Sequence, residues 1–294
     1  MSPKNPRWRH RISDPTHITR DSLPDLAKGQ GHKFDHGHVL VLTGGAGRTG
    51  AARLAARGAL RIGAGLVTLG VPPSAQMEVA AQITALMLTR IADADGLVVV
   101  LQDARLNALC LGPGLGLDRA RALVPVALRP ERQVPVCLDA DALSSFADAP
   151  GDLFAMLHDR CVLTPHAGEF ARLFPDLADD LDGDAKVAAT REAASRCGAV
   201  VLLKGPDTVI AHPDGRCAIH AAENDRAAPW LATAGAGDVL VGFITGLMAR
   251  GLAPMAAAQA AAWLHVECAR AFGPGLIAED LPEMVPRVFG DLGG

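Results

Sequence analysis

The stretch Ala232-Thr233-Ala234-Gly235-Ala236-Gly237-Asp238-Val239-Leu240 joins a turn of small residues to an apolar helix and sets one carboxylate on that helix's first turn. Free N–H groups in such a turn form an anion hole, here at Gly235, Ala236 and Gly237, and the helix dipole adds to it. An aspartate in that place repels a bound phosphate, so its presence calls for a chemical reason. Taking a proton from a substrate hydroxyl beside the phosphate is one, which makes Asp238 a candidate general base. The plainer alternative is a glycine-rich loop capped by Asp238.

Other polar groups follow short apolar runs, at the places where open parallel sheets bind ligands. Asp139 and Asp141 follow Val136-Cys137-Leu138, and His166 and Glu169 follow Val162-Leu163-Thr164. Asp139 either caps a helix beginning at Ala140 or touches a ligand, while Asp141 suits that helix's first turn. His166 reads as a turn histidine or a substrate contact. Glu169 either starts a helix or orients a magnesium-bound water. Lys204 ends an apolar strand, where a cation needs an anionic partner, and a phosphate would serve. It opens Lys204-Gly205-Pro206-Asp207-Thr208, in which Thr208 is a strand residue or holds a phosphate or ribose oxygen. Gly112-Pro113-Gly114-Leu115-Gly116 adds a turn rich in exposed amides.

Gly45-x-Gly47-x-x-Gly50 matches a dinucleotide fingerprint, but the next strand, Leu66 to Pro73, ends without the acidic residue that holds a ribose. No lysine follows Gly50, so the loop also fails as a Walker A motif. The glycines are expected to bring the backbone close to some other ligand.

The elements that must position these groups alternate. Strands are expected at His38–Thr43, Leu66–Val71, Ala108–Leu111, Val134–Leu138, Cys161–Thr164 and Ala199–Leu203, with a hairpin partner at Thr208–Ala211. An Ala-rich helix is expected over about 50–62, and two more, at about 238–250 and 254–271, close the chain. Helices between strands indicate an α/β fold, a mostly parallel sheet covered on both faces. Residues 1–22, rich in Pro, Arg and His, read as an arm ordered against a neighbouring subunit, ahead of a single domain over 23–294.

Hydrophobic residues make up 49% of the 294, enough for a large core, and the formal charge of -4 argues against general nucleic-acid binding. The six cysteines show no C-x-x-C pair or zinc spacing, which suits reduced, buried thiols and a cytoplasmic protein. Neither a secretory signal nor an apolar run of membrane-spanning length is visible.

Taken in order, the loops resemble the ADP/ATP-dependent NAD(P)H-hydrate dehydratase family. The resemblance is carried by His32-Lys33-x-Asp35-x-Gly37, Thr49-Gly50-Ala51-Ala52, Gly63-Ala64-Gly65-Leu66-Val67 and Gly112-Pro113-Gly114-Leu115-Gly116. It continues through Leu138-Asp139-Ala140-Asp141-Ala142-Leu143, Thr164-Pro165-His166-Ala167-Gly168-Glu169, Leu203-Lys204-Gly205-x-x-Thr208 and Gly235-Ala236-Gly237-Asp238. It covers about residues 32–285.

The resemblance implies a ribokinase-like fold and repair of hydrated NADH or NADPH, driven by ADP or ATP with Mg2+. Asp238 would deprotonate the 6-hydroxyl of the (6S) hydrate, which then attacks the terminal phosphate, with Gly235, Ala236 and Gly237 holding the developing charge. Ala51, Gly114, Gly116 and His166 would line the hydrate pocket. Lys204, Gly205, Pro206, Asp207 and Thr208, with Gly237, would hold the nucleotide. The resemblance also implies a homotetramer, which the Ala-rich helices could build by packing between subunits.

Some positions depart from the family pattern. Ala236 stands where the family often has serine, and the form Gly-Ala-Gly-Asp is shared with sugar kinases. A small-molecule kinase of the same fold is therefore the alternative. Ala167 replaces a frequent proline and Phe34 a frequent glycine. Asn224 to Trp230 lacks the usual Gly-Asn-Pro-Gly form. The residues ahead of His32 leave no room for the epimerase domain that many relatives carry.

Overall fold

His38-Val39-Leu40-Val41-Leu42 alternates its side chains between two cores. Val39 and Val41 face one, Leu40 and Leu42 the other, and all four are buried. A strand apolar on both faces must lie inside a sheet covered on both sides. The computed structural model describes residues 14–293 except Pro130, Arg132, Asn224 and Asp225. In chain order the elements are β1 (Thr16–His17), β2 (His38–Leu42), α1 (Gly50–Arg61), β3 (Leu66–Val71), α2 (Gln76–Ala80), β4 (Met87–Arg90) and α3 (Ala94–Val100). Then come β5 (Leu106–Leu111), α4 (Leu117–Ala127), β6 (Val136–Leu138), α5 (Asp141–Ser144), α6 (Pro150–Phe154), β7 (Cys161–Leu163) and α7 (Ala167–Leu173). The last are α8 (Gly183–Cys197), β8 (Val200–Leu203), β9 (Asp207–Ala211), β10 (Cys217–Ala221), α9 (Ala236–Ala249), α10 (Pro254–Phe272) and α11 (Asp280–Leu292).

The strands form one ten-stranded sheet in the order β1-β10-β9-β8-β7-β6-β5-β2-β3-β4. Only β9 runs against its neighbours, β8 and β10. The strands β5, β6, β7 and β8 are neighbours in chain order and parallel. The loops that leave their carboxyl ends therefore stand side by side on one edge, which is what the site requires.

On one face α1, α9, α10 and α11 share a core, and on the other α4, α7 and α8 share the second. α9 is buried at every residue from Val239 to Ala249. It fits because glycine lets backbones touch: a Cβ on Gly242 would stand 2.1 Å from the Ala55 carbonyl oxygen, and one on Gly246 2.8 Å from that of Ala59. The small residues of α1 and α9 thus let these two helices pack closely within the chain.

Two expectations change. Thr16 and His17 pair with Ala218 and Ile219 of β10, and Ile18 is buried, so this part of the arm lies on its own chain's sheet. The reason is the row of hydrogen-bonding groups that β10 would otherwise leave open; residues 1–13 lie outside the described residues. The chain also closes with a third helix, α11, beyond the two expected. All six cysteines are free and buried, and no helix among the described residues is long and apolar enough to cross a membrane.

Candidate active site

Gly235 adopts φ +89° ahead of α9, and a Cβ there would meet Leu54 Cδ1 at 2.6 Å and Ala278 Cβ at 2.9 Å. Only glycine fits a left-handed turn walled in this way. It starts α9 so that Ala236, Gly237 and Asp238 form its first turn, with Asp238 aimed among charged groups. Burial is the main cause that pushes the Asp238 carboxyl up to about 6. The negative charges of Asp139 and Asp141 add to that, and the Lys204 ammonium opposes it. A carboxylate that titrates near neutrality suits a base.

Asp139 is buried, and its Oδ1 accepts from both Thr164 Oγ1 and Lys204 Nζ, each at 2.7 Å. It is not the helix cap. The cap position belongs to Ala140, whose φ of +46° makes it the one non-glycine residue in the left-handed region among the described residues. Such a conformation costs about 1–3 kcal/mol and persists where its surroundings enforce it. Gly112 is part of that enforcement, since a Cβ on it would stand 1.7 Å from the Asp139 carbonyl oxygen. Asp141 does sit in the first turn of α5, and its Oδ2 accepts from Gly116 N at 2.7 Å. The anionic partner of Lys204 is therefore Asp139 rather than a phosphate alone, with Nζ 3.6 Å from where a Gly237 Cβ would be.

His166 caps α7, its Nδ1 accepting from Gly168 N at 2.9 Å and Glu169 N at 3.3 Å. Its ring hydrogen must then lie on Nε2, which stands 3.5 Å from Glu169 Oε1. Glu169 is buried and accepts from His166 N at 2.9 Å through Oε2. It starts the helix, with Oε2 held by this capping bond and Oε1 beside His166 Nε2. Among the described residues no group of three or more His, Cys, Asp or Glu could hold a metal ion.

The segment from Lys204 to Thr208 links β8 to β9. Asp207 turns its carboxylate to Lys186 Nζ at 2.9 Å, and Thr208 Oγ1 donates to Gly205 O at 3.1 Å. Pro206 O accepts from Ala222 N at 2.9 Å, tying the turn to the far end of β10. On the other side, the Gly44–Gly50 loop packs on the turn after β5. A Cβ on Gly44 would stand 2.0 Å from Gly114 O, and one on Gly114 3.4 Å from Ala51 Cβ. The close approach these glycines permit is thus between two loops. Gly47 N donates to Glu78 Oε2 at 2.6 Å, and Thr49 Oγ1 donates to Oε1, so this loop's anionic partner is internal.

Three supports carried no local signal in the sequence. His265, buried in α10, donates from Nε2 to Ala236 O at 2.8 Å and pins the first turn of α9; burial holds its ring neutral, down to about 4. Arg119 donates to the carbonyls of Thr43, Ile91 and Ala92. Glu78 is the third. A cavity of about 1210 Å³ lies between residues 20–28, α1 and α11, and Leu54 is part of its wall.

Known proteins resemble this chain in sequence and in fold. A family profile described as NAD(P)H-hydrate dehydratase matches residues 39–283. The bifunctional NAD(P)H-hydrate repair enzyme Nnr of Moorella thermoacetica is 40% identical over 286 residues, covering 93% of this chain and 53% of that protein. The enzyme of the same name from Salinibacter ruber is 37% identical over 276 residues, covering 87% and 49%. The chain thus spans about half the length of the curated relatives it matches. The ADP/ATP-dependent NAD(P)H-hydrate dehydratase from Bacillus subtilis, co-crystallised with ATP/Mg2+, superposes with a TM-score of 0.75 at 29% identity, over 95% of this chain and 99% of that one. Ribokinase from Thermotoga maritima superposes with a TM-score of 0.58 at 14% identity, over 86% and 99%, a likeness of fold alone. With residues 39–283 matched and the motif loops assembled on one sheet edge, the chain belongs to the NAD(P)H-hydrate dehydratase family.

Proposed function

We propose that this protein dehydrates (6S)-NADHX and (6S)-NADPHX to NADH and NADPH, consuming ADP or ATP. The observation that carries the reading is Asp238: a half-buried carboxylate titrating near 6 on the first turn of α9, beside the Gly235–Gly237 turn. Asp238 takes the proton of the 6-hydroxyl, and the oxygen attacks the nucleotide's terminal phosphorus. The turn's amides hold charge on the transferring phosphoryl group, where such stabilisation counts most. The ring nitrogen's lone pair then breaks the carbon–oxygen bond and expels phosphate. Loss of a proton from the neighbouring carbon completes the dihydronicotinamide. Hydroxide leaves poorly and phosphate well, which is why a dehydratase gains from a kinase fold.

Ala51, Gly114 and Gly116 line the hydrate pocket in this reading, and His166 offers its Nε2 hydrogen to a substrate acceptor. The nucleotide lies along Lys204, Gly205, Pro206, Asp207 and Thr208 and against Gly237. At Asp207 the backbone serves, because Lys186 holds the carboxylate. Mg2+ would come with the nucleotide and help neutralise the charge on its phosphates. Homotetrameric assembly and residence in the cytoplasm belong to the same proposal.

The test mixes protein, (6S)-NADPHX, Mg2+ and ADP or ATP, and follows the near-ultraviolet absorbance of the dihydronicotinamide. A nucleotide-dependent rise with release of free phosphate supports the reading. A stable phosphorylated product with no rise overturns it in favour of a kinase.

A further inference from the structure

Asp139 is the residue the proposed chemistry leaves without a task, although the fold commits a good deal to it. It is 2% exposed, and Oδ1 takes hydrogen bonds from Thr164 and Lys204, two residues on different loops. The backbone that delivers it passes through the left-handed Ala140 and against Gly112. A structural aspartate of this kind would ordinarily cap a helix, and this one does not. Lys204, in turn, reaches the anion turn beside Gly237.

We infer that Asp139 is a positioning residue for the base. It fixes the Lys204 ammonium at the mouth of the anion turn, and its own charge keeps Asp238 from becoming too weak a base. The inference rests on the dehydratase reading but concerns Asp139, to which that reading gives no role.

The electrostatic argument needs every charge that faces Asp238. Asp139 from the end of β6 and Asp141 from α5 oppose its ionisation, and Lys204 from the end of β8 favours it. Glu169 of α7 acts on Lys204, and His265 of α10 is neutral through burial. The Cys110 thiol on β5 is held protonated, again by burial. An acceptor with too low a pKa takes a hydroxyl proton poorly, and one with too high a pKa is already protonated. Removing Asp139's charge takes away one term that raises Asp238 and frees Lys204 to lower it further. Removing Lys204's charge does the reverse. The two changes therefore move Asp238 in opposite directions, which no packing role predicts.

The experiment compares Asp139→Asn and Lys204→Gln with the unmodified protein. It measures kcat, the nucleotide KM and the pH dependence of kcat/KM, and titrates the Asp238 carboxyl directly by carbon-13 NMR. In Asp139→Asn the acidic limb and the NMR midpoint should both fall by about one pH unit, with kcat down about tenfold. In Lys204→Gln both should rise, and the nucleotide KM should rise as well. Midpoints that stay put, or move the same way in both variants, overturn the inference. The NMR titration needs no turnover, so a protein inactive toward the hydrate defeats the dehydratase reading while the inference is still tested. Should Asp139→Asn fail to fold, the sign of the shift in Lys204→Gln decides alone: a fall overturns the inference.

Discussion

Leu54 of α1 sets its Cδ1 beside Gly235, 2.6 Å from the point a β-carbon there would occupy. A helix that contributes nothing charged to the anion turn thus sets the turn's shape. Gly235→Ala would combine that clash with a left-handed φ of +89°. The expected cost is about 1–3 kcal/mol of stability, read as a lower Tm, with a larger loss in kcat because the turn's amides swing away. A variant that melts and turns over like the unmodified protein would remove Leu54 as the template.

Asp238→Asn tests the base itself. Turnover should fall by about 10²–10⁴-fold, the usual contribution of a positioned proton acceptor. Nucleotide binding, followed by calorimetry, should hold or tighten, because a negative charge beside the phosphates has gone. Unchanged turnover would take Asp238 out of the mechanism.

The pH dependence has a definite sign. Asp238 works ionised and its carboxyl titrates at about 6, so kcat/KM should be level above that pH and fall tenfold per unit below it. An acidic limb near the ordinary carboxylate range, close to pH 4, would mean that burial leaves this carboxyl unshifted.

Stability should follow a different pair of groups. His265 and His220 are held neutral by burial, each down to about 4, below the ordinary histidine value of 6.5. A depressed folded-state value means the unfolded chain takes up protons first. Their contribution is whole above about pH 6.5 and is lost as pH falls toward 4, at up to about 1.4 kcal/mol per pH unit for each group. Denaturant titrations of unmodified protein and His265→Gln across that window should show a shallower slope in the variant. Equal slopes would exclude His265 as the group responsible.

Much of this was legible in the residues, and for a physical reason. Strands such as β2 and β8 are buried on both faces and so read as unbroken apolar runs, and the loops at their ends carry the polar groups. What escaped notice lacked that contrast. Met87-Leu88-Thr89-Arg90 forms an edge strand with its outer residues exposed, and an edge needs no apolar pattern. α11 carries Pro282 and Pro286, which argue against a helix although the helix forms around both. Asp139 and Lys204 are 65 residues apart, and only the adjacency of β6, β7 and β8 makes them a pair. His265 sits in an Ala-rich run with nothing beside it to announce the carbonyl it holds.

The helices α1 and α9 cross backbone to backbone at Gly242 and Gly246, and each begins at a loop of the site, α1 at Gly50 and α9 at Ala236. At Gly242 the nearest atoms are all backbone atoms of Ala55, with no side chain as a cushion. The glycine-rich loop and the anion turn therefore share one rigid body. Slow fluctuations that open one should open the other, and their deeper amides should exchange with solvent only when this whole half of the molecule opens. Any closing over a bound nucleotide must come from segments hung elsewhere, such as the link between β8 and β9.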